Sequence, residues 1–229
     1  MAVGYVGLVR REASRGRGRT SSTERIVLHP RSGKHEATCV FLHGFSMRAS
    51  ELLDDFSRLG QQLPTWRFVL PQAPELAITA HGGRPACSWF DYFSDHEGAQ
   101  EDTVDFFSLR LRKVELQRLV AAEAALLADG LARLVLGGLS QGGQMALHLA
   151  SQLRCRAVVT AVSCRLSASL SKPLLCPWHA LVASRDETFP PAWTKPLMAG
   201  ATTTKVVDDD HWLDQTDLAA SLLLLFQKL

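Results

Sequence analysis

The run Leu134-Val135-Leu136-Gly137-Gly138-Leu139-Ser140-Gln141-Gly142-Gly143 constrains this chain more than any other stretch. Arg133 to Leu136 reads as an apolar strand, and Met145, Ala146, Leu149, Ala150 and Leu153 then recur on one face of a helix. Between them lies G-x-S-x-G. With ordinary Gly and Ser usage that pattern arises by chance in roughly one chain in ten of this size, so the strand-turn-helix context carries the weight. A serine at such a turn holds a strained backbone conformation that exposes its hydroxyl. Gly138 and Gly142 leave room where a Cβ would meet the neighbouring strand or helix, and Gly143 lets the helix pack closely on the sheet.

The remaining elements follow the same rhythm. Ile26 to Leu28 reads as a short edge strand, Ala37 to Leu42 as a strong strand and Trp66 to Leu70 as the next; Ala157 to Val162, Trp178 to Val182 and Thr203 to Val207 complete the set. The strand Ala37 to Leu42 is apolar without alternation, as a sheet covered on both faces requires. Helical patterns run over 50–63, 103–128, 141–153 and 214–228. Strands alternating with helices predict one α/β domain over 25–229, with a mostly parallel sheet and helices on both faces. Residues 72 to 101 read as a long loop rich in Gly, Pro and aromatics, and a loop of that length in a compact domain is usually functional.

Composition narrows the function classes. At 229 residues and a net charge of +2, the chain carries no strong field for nucleic acid or a membrane surface. No stretch is long and apolar enough to span a bilayer. The five cysteines are odd in number and none forms C-x-x-C, which argues against a disulfide framework or a zinc site and for a reducing, cytoplasmic compartment. Cys39, Cys164 and Cys176 lie in apolar surroundings and read as packing residues. Residues 1 to 24 read as a basic, disordered extension; its Arg- and Ser-rich, acid-poor composition also fits an organellar transit peptide.

A serine hydroxyl becomes a competent nucleophile only beside a base that is itself oriented by a third group. Two histidines lie beyond the serine helix. His179 falls within a strand, whereas His211 follows the last strand, at the sheet end where reactive groups collect. His211 is therefore the candidate base, and His148, on the helix after Ser140, is set aside. Asp186 after the preceding strand is the candidate acid, with Glu187 and the triplet Asp208-Asp209-Asp210 as competitors. For an oxyanion, the amides of Gln141 and of Phe45, in Leu42-His43-Gly44-Phe45, are the candidate donors.

These pieces resemble the acyl-protein thioesterase and carboxylesterase family of α/β-hydrolases. The matching segments are Phe41-Leu42-His43-Gly44, Leu70-Pro71-Gln72-Ala73-Pro74, Ser88-Trp89-Phe90-Asp91, Gly137 to Gly143, Ser163-Cys164-Arg165-Leu166 and the late Asp186 and His211, in family order from about residue 37. The resemblance implies an α/β-hydrolase fold with little or no cap. It implies hydrolysis of carboxylic esters or thioesters through a Ser-His-Asp acyl-enzyme, with no metal or cofactor. The substrates it implies are small esters or acylated proteins and lipids. It also implies a groove for the acyl chain bordered by the 72–101 region, with Trp89 and Phe90 as candidate lining residues; Trp212, beside His211, is a further candidate that would narrow the mouth of the site. The chain departs from the family in having Val182-Ala183-Ser184-Arg185 where His-Gly is usual, and Trp212 where a small residue follows the histidine. Three prolines between Asp186 and His211 allow only a brief helix there. A short-chain carboxylesterase without a protein substrate, and a non-catalytic binding protein on the same fold, are the alternatives.

Overall fold

The computed structural model describes residues 9–12 and 24–229. In chain order the elements are β1 (Val9–Glu12), β2 (Arg25–Leu28), β3 (Ala37–Leu42), α1 (Leu53–Gln62), β4 (Trp66–Pro71), β5 (Glu75–Ile78), β6 (Arg84–Cys87), α2 (Phe106–Ala124), β7 (Leu134–Leu139), α3 (Gln141–Ala150), β8 (Ala157–Ala161), β9 (Trp178–Ala183), α4 (Pro191–Thr194), β10 (Thr203–Val207) and α5 (Leu218–Phe226). Eight strands form one sheet in the order β1-β2-β4-β3-β7-β8-β9-β10. From β4 to β10 every pairing is parallel; β2 joins β4, and β1 joins β2, antiparallel. This is the α/β-hydrolase arrangement, a mostly parallel sheet sandwiched between helices.

Strand residues of alternate parity face two separate cores, which is why the central strands are apolar throughout. Val40, Leu42 and Leu136 pack with Leu116 and Val120 of α2 and Met145 and Leu149 of α3. Cys39, Phe41 and Val135 pack on the other face with Phe56 of α1 and Leu222 and Phe226 of α5. Across the first core a buried ion pair joins sheet to helix: Arg67 Nε of β4 lies 2.8 Å from Glu123 Oε2 of α2. Among the described residues no helix is long and apolar enough to cross a membrane.

Four expectations change. The stretch 72–101 is not all loop: β5 and β6 form a two-stranded antiparallel ribbon, turned through Gly82 and Gly83 at φ +64° and +79°. The helix expected over 103–128 runs from Phe106 to Ala124, because Asp105 caps it by accepting from the Phe107 and Ser108 N–H groups. The closing helix begins at Leu218, capped by Asp217. The proposed extension over 1–24 lies mostly outside the described residues, and with it the transit-peptide reading; Val9–Glu12 within it forms β1, so β2 is not the edge. The five cysteines are free thiols; Cys39 and Cys164 are buried and Cys176 is half-buried.

Candidate active site

Four loops converge at the C-terminal edge of the parallel sheet, those following β3, β7, β9 and β10. The loop after β7 is a single residue. Ser140 holds φ +49° and ψ −120° as β7 turns into α3, a conformation that costs energy for a residue with a side chain and persists because its surroundings enforce it. Here the glycines are steric necessities. A Cβ on Gly142 would lie 2.3 Å from the Leu42 carbonyl oxygen, and one on Gly138 would lie 2.3 Å from the Gly142 carbonyl carbon. The Ser163 hydroxyl donates to the Ser140 carbonyl at 2.8 Å and locks the turn from β8.

The structure brings the three separated candidates into one chain of hydrogen bonds. Ser140 Oγ lies 2.9 Å from His211 Nε2. His211 Nδ1 lies 3.0 Å from each oxygen of Asp186. With the imidazole neutral, Nδ1–H donates to the carboxylate and Nε2 accepts from the serine, the tautomer a proton acceptor needs. Asp186 Oδ1 also accepts from the Thr188 and Phe189 N–H groups at 3.0 and 2.7 Å. All three side chains are buried. Glu187 takes no part in this chain.

The loop carrying His211 is held by a residue that the sequence reading left as a competitor for the acid. Asp209 is 1% exposed; its Oδ2 accepts from Gln215 N–H at 3.0 Å and Thr216 Oγ1 at 2.8 Å, and its Oδ1 from Asp210 N–H at 2.9 Å. Desolvation pushes the Asp209 carboxyl up, but these bonds from Thr216, Asp210 and Gln215 outweigh it and hold the group below its ordinary range. Asp208 is exposed and pairs with Arg185, while Asp210 accepts from the Trp212 N–H. The post-β9 and post-β10 loops are also laddered backbone to backbone, Ser184 N–H to Val207 O and Arg185 N–H to Asp209 O, each 2.9 Å. That ladder sets Asp186 opposite His211.

The two candidate oxyanion donors flank the serine. Gln141 is the first residue of α3, so its N–H has no carbonyl partner within the helix. Phe45 follows Gly44 in the loop after β3 and lines the cavity above Ser140. That loop is pinned by His43, which is wholly buried. Its Nδ1–H donates to Gly44 O at 2.8 Å and its Nε2 accepts from Ala73 N–H at 3.0 Å. Burial pushes the His43 ring below the usual imidazole range, keeping it neutral for this double role. The Gln141 side chain is equally committed. Its Nε2 donates to Ser88 Oγ and Phe90 O at 2.8 and 3.0 Å, and its Oε1 accepts from Trp89 N–H at 3.0 Å.

A cavity of about 520 Å³ opens over Ser140 and His211, with Phe45, Met47, Tyr92, Leu139, Phe189 and Trp212 among its walls. Trp212 lies on its wall and is 75% exposed. Trp89 and Phe90 do not line it. Both are fully buried; Trp89 Nε1 donates to His43 O at 2.7 Å and braces the candidate oxyanion loop from behind, while the Phe90 ring packs edge-on against Tyr92. Tyr92 and Phe189 line the cavity instead, and the Phe189 ring meets His211 edge-on at 5.2 Å. His148 lies apart, bonded to Ser169 Oγ at 2.9 Å.

Residues 23–177 match the model of the phospholipase/carboxylesterase family. Acyl-protein thioesterase 1 of Mycosarcoma maydis is 36% identical over 138 residues, 53% of this chain and 54% of that protein. Acyl-protein thioesterase 1 of Neurospora crassa is 30% identical over 159 residues, 66% of this chain and 63% of that protein. The chain thus spans between half and two thirds of the length of these curated relatives. Among solved structures, acyl-protein thioesterase 2 of Zea mays superposes with a TM-score of 0.69 at 17% identity, over 89% of this chain and 97% of that one. A carboxylesterase of Bacillus cereus does so with 0.71 at 14% identity, over 90% and 94%. At such identities the structures speak for the fold alone. The family match ends before Asp186 and His211, whose place beside Ser140 comes from the geometry. On a match that covers well over half of its length, the chain belongs to the phospholipase/carboxylesterase family.

Proposed function

We propose that the protein is a serine hydrolase that cleaves carboxylic esters or thioesters through an acyl-enzyme. The observation that carries this reading is the continuous chain from Ser140 Oγ through His211 to Asp186, with contacts of 2.9 and 3.0 Å. Ser140 Oγ attacks the substrate carbonyl carbon as its proton passes to His211 Nε2. Asp186 accepts from Nδ1–H throughout and stabilises the imidazolium. The Phe45 and Gln141 amides receive the developing oxyanion, each worth on the order of 10²–10³ in rate. The imidazolium returns its proton to the departing alcohol or thiol, and water repeats the sequence to release the acid. The name of the matched relatives, acyl-protein thioesterase, supports acylated proteins as one substrate class beside small and lipid esters.

The test is fluorophosphonate labelling of the purified protein with the modified residue mapped by mass spectrometry. Stoichiometric labelling at Ser140, lost in Ser140→Ala together with esterase activity, is the expected result. Folded protein that resists the probe, or a Ser140→Ala variant that hydrolyses esters at the native rate, would defeat the reading.

A further inference from the structure

The walls of the cavity over Ser140 carry charge of one sign. Glu51, Asp95, Glu101, Asp102 and Asp214 line it, and no described lysine or arginine does. Several of these carboxylates are fixed by backbone amides. Glu101 Oε1 accepts from Ser167 N–H at 2.9 Å, and Asp102 Oδ1 accepts from His96 N–H at 2.7 Å. Asp95 is met by His81 Nε2 at 3.1 Å. Arg185 lines a smaller adjoining cavity and is engaged by Asp208 at 3.2 Å. Burial pushes the Asp102 carboxyl up.

A second observation is independent of charge. Gln144 stands on α3 one turn beyond Ser140, is 2% exposed and lines the same cavity. Its Nε2 reaches only Cys164 Sγ, at 4.0 Å, and its Oε1 has no hydrogen-bond donor among the described residues. A buried amide oxygen left without a donor is costly unless a ligand supplies one. Carboxylates and an unpartnered amide oxygen share one property: they accept hydrogen bonds and cannot donate them.

We propose that the part of the substrate seated in this cavity carries a protonated amine, one N–H of which is received by Gln144 Oε1 while the carboxylate wall attracts its charge. The inference rests on the hydrolase reading and adds the substrate class to it. A one-signed wall in a cleft focuses the field on the entering group and repels an anion of the same shape.

The experiment compares kcat/KM within isosteric sets on the full-length protein. One set carries the charge in the acyl chain: 4-nitrophenyl 6-aminohexanoate, 4-nitrophenyl heptanoate and the 4-nitrophenyl monoester of adipic acid. The other carries it in the leaving group: 2-aminoethyl against propyl heptanoate. The expected result is a preference of about tenfold or more for the ammonium member of at least one set, with the adipate monoester below heptanoate. That preference should shrink as NaCl rises from about 20 to 500 mM, because screening shortens the reach of the wall. In Gln144→Leu, the ratio of ammonium to neutral ester should fall about fivefold; being a ratio, it is indifferent to how much of the variant is active. Equal turnover of all members by protein that labels at Ser140, or a preference unchanged by salt and by Gln144→Leu, overturns this inference and leaves the hydrolase reading standing. Failure of every ester together with failure to label overturns both.

Discussion

Asp209 shows how a single side chain governs the position of another. It touches neither Ser140 nor the His211 ring, yet its carboxylate gathers the Asp210, Gln215 and Thr216 donors around the loop that presents His211. Because its folded-state affinity for a proton lies below the ordinary carboxylate value, the stability it contributes is complete above that ordinary value, near pH 4, and is lost as pH falls through the depressed one. Asp209→Asn should therefore flatten the acid limb of the stability curve, read as urea midpoints between about pH 3 and 7. At neutral pH the same variant should lower kcat about tenfold, with Ser140, His211 and Asp186 intact. Ser140, Asp186 and His211 were legible in the sequence because each stands just past a recognisable strand, and parallel strands deliver their C-terminal ends to one place. Asp209, His43 and Phe189 were not legible. Their roles rest on bonds to backbone groups or rings that only the closed fold brings near, and a triplet of aspartates reads as three equivalent solvated charges. The same lack of context made Trp89 and Phe90 look like groove residues, when both are fully buried away from the cavity.

Among the elements, helix starts were misjudged for one physical reason. The apolar pattern of α2 extends back to Val104, but that residue pairs as an isolated bridge with Tyr92, and the helix begins only where Asp105 caps it. Capping geometry, not periodicity, sets the first turn. Asp105→Ala should cost about 1 kcal/mol in global stability by denaturant titration, and it should loosen the Asp105 N–H bond to Asp91 O, which ties the start of α2 to the segment over the cavity. The ribbon of β5 and β6 escaped notice because its strands are four residues long, mostly exposed, and interrupted by Pro85. Little of the alternation that marks a half-buried strand is present there. The buried strands β3, β4, β8 and β9 match their expected bounds to within a residue, since an unbroken apolar run of that length has few other uses in an α/β chain, whereas β7 runs on through Gly137 and Gly138 to Leu139, past the expected end at Leu136.

Across the whole molecule, the layer of α2 and α3 is joined to the sheet by more than apolar contact. Arg67 and Glu123 are both buried, with side chains 8% and 3% exposed, and Arg67 Nη1 also donates to His29 Nδ1 at 3.1 Å. Removing one partner leaves a charge in a place water cannot reach. Glu123→Ala should therefore destabilise the fold by about 3–5 kcal/mol, while Arg67→Met with Glu123→Leu should recover most of that loss. Equilibrium unfolding of the two variants measures both.

The sheet distributes its burial unevenly, and this bears on how the protein would fail. Strands β3 and β8 are buried at every residue, whereas β10 alternates between half-buried and exposed positions at the free margin of the sheet. Ser140 is held by the centre of the sheet and His211 by its margin. Margins open at lower cost than centres, so mild denaturant should detach His211 from Ser140 while the serine turn is still in place. Fluorophosphonate reactivity should then vanish at a lower urea concentration than the fluorescence change of the fully buried Trp89 and Trp178. Between the two transitions the molecule would be folded but chemically silent.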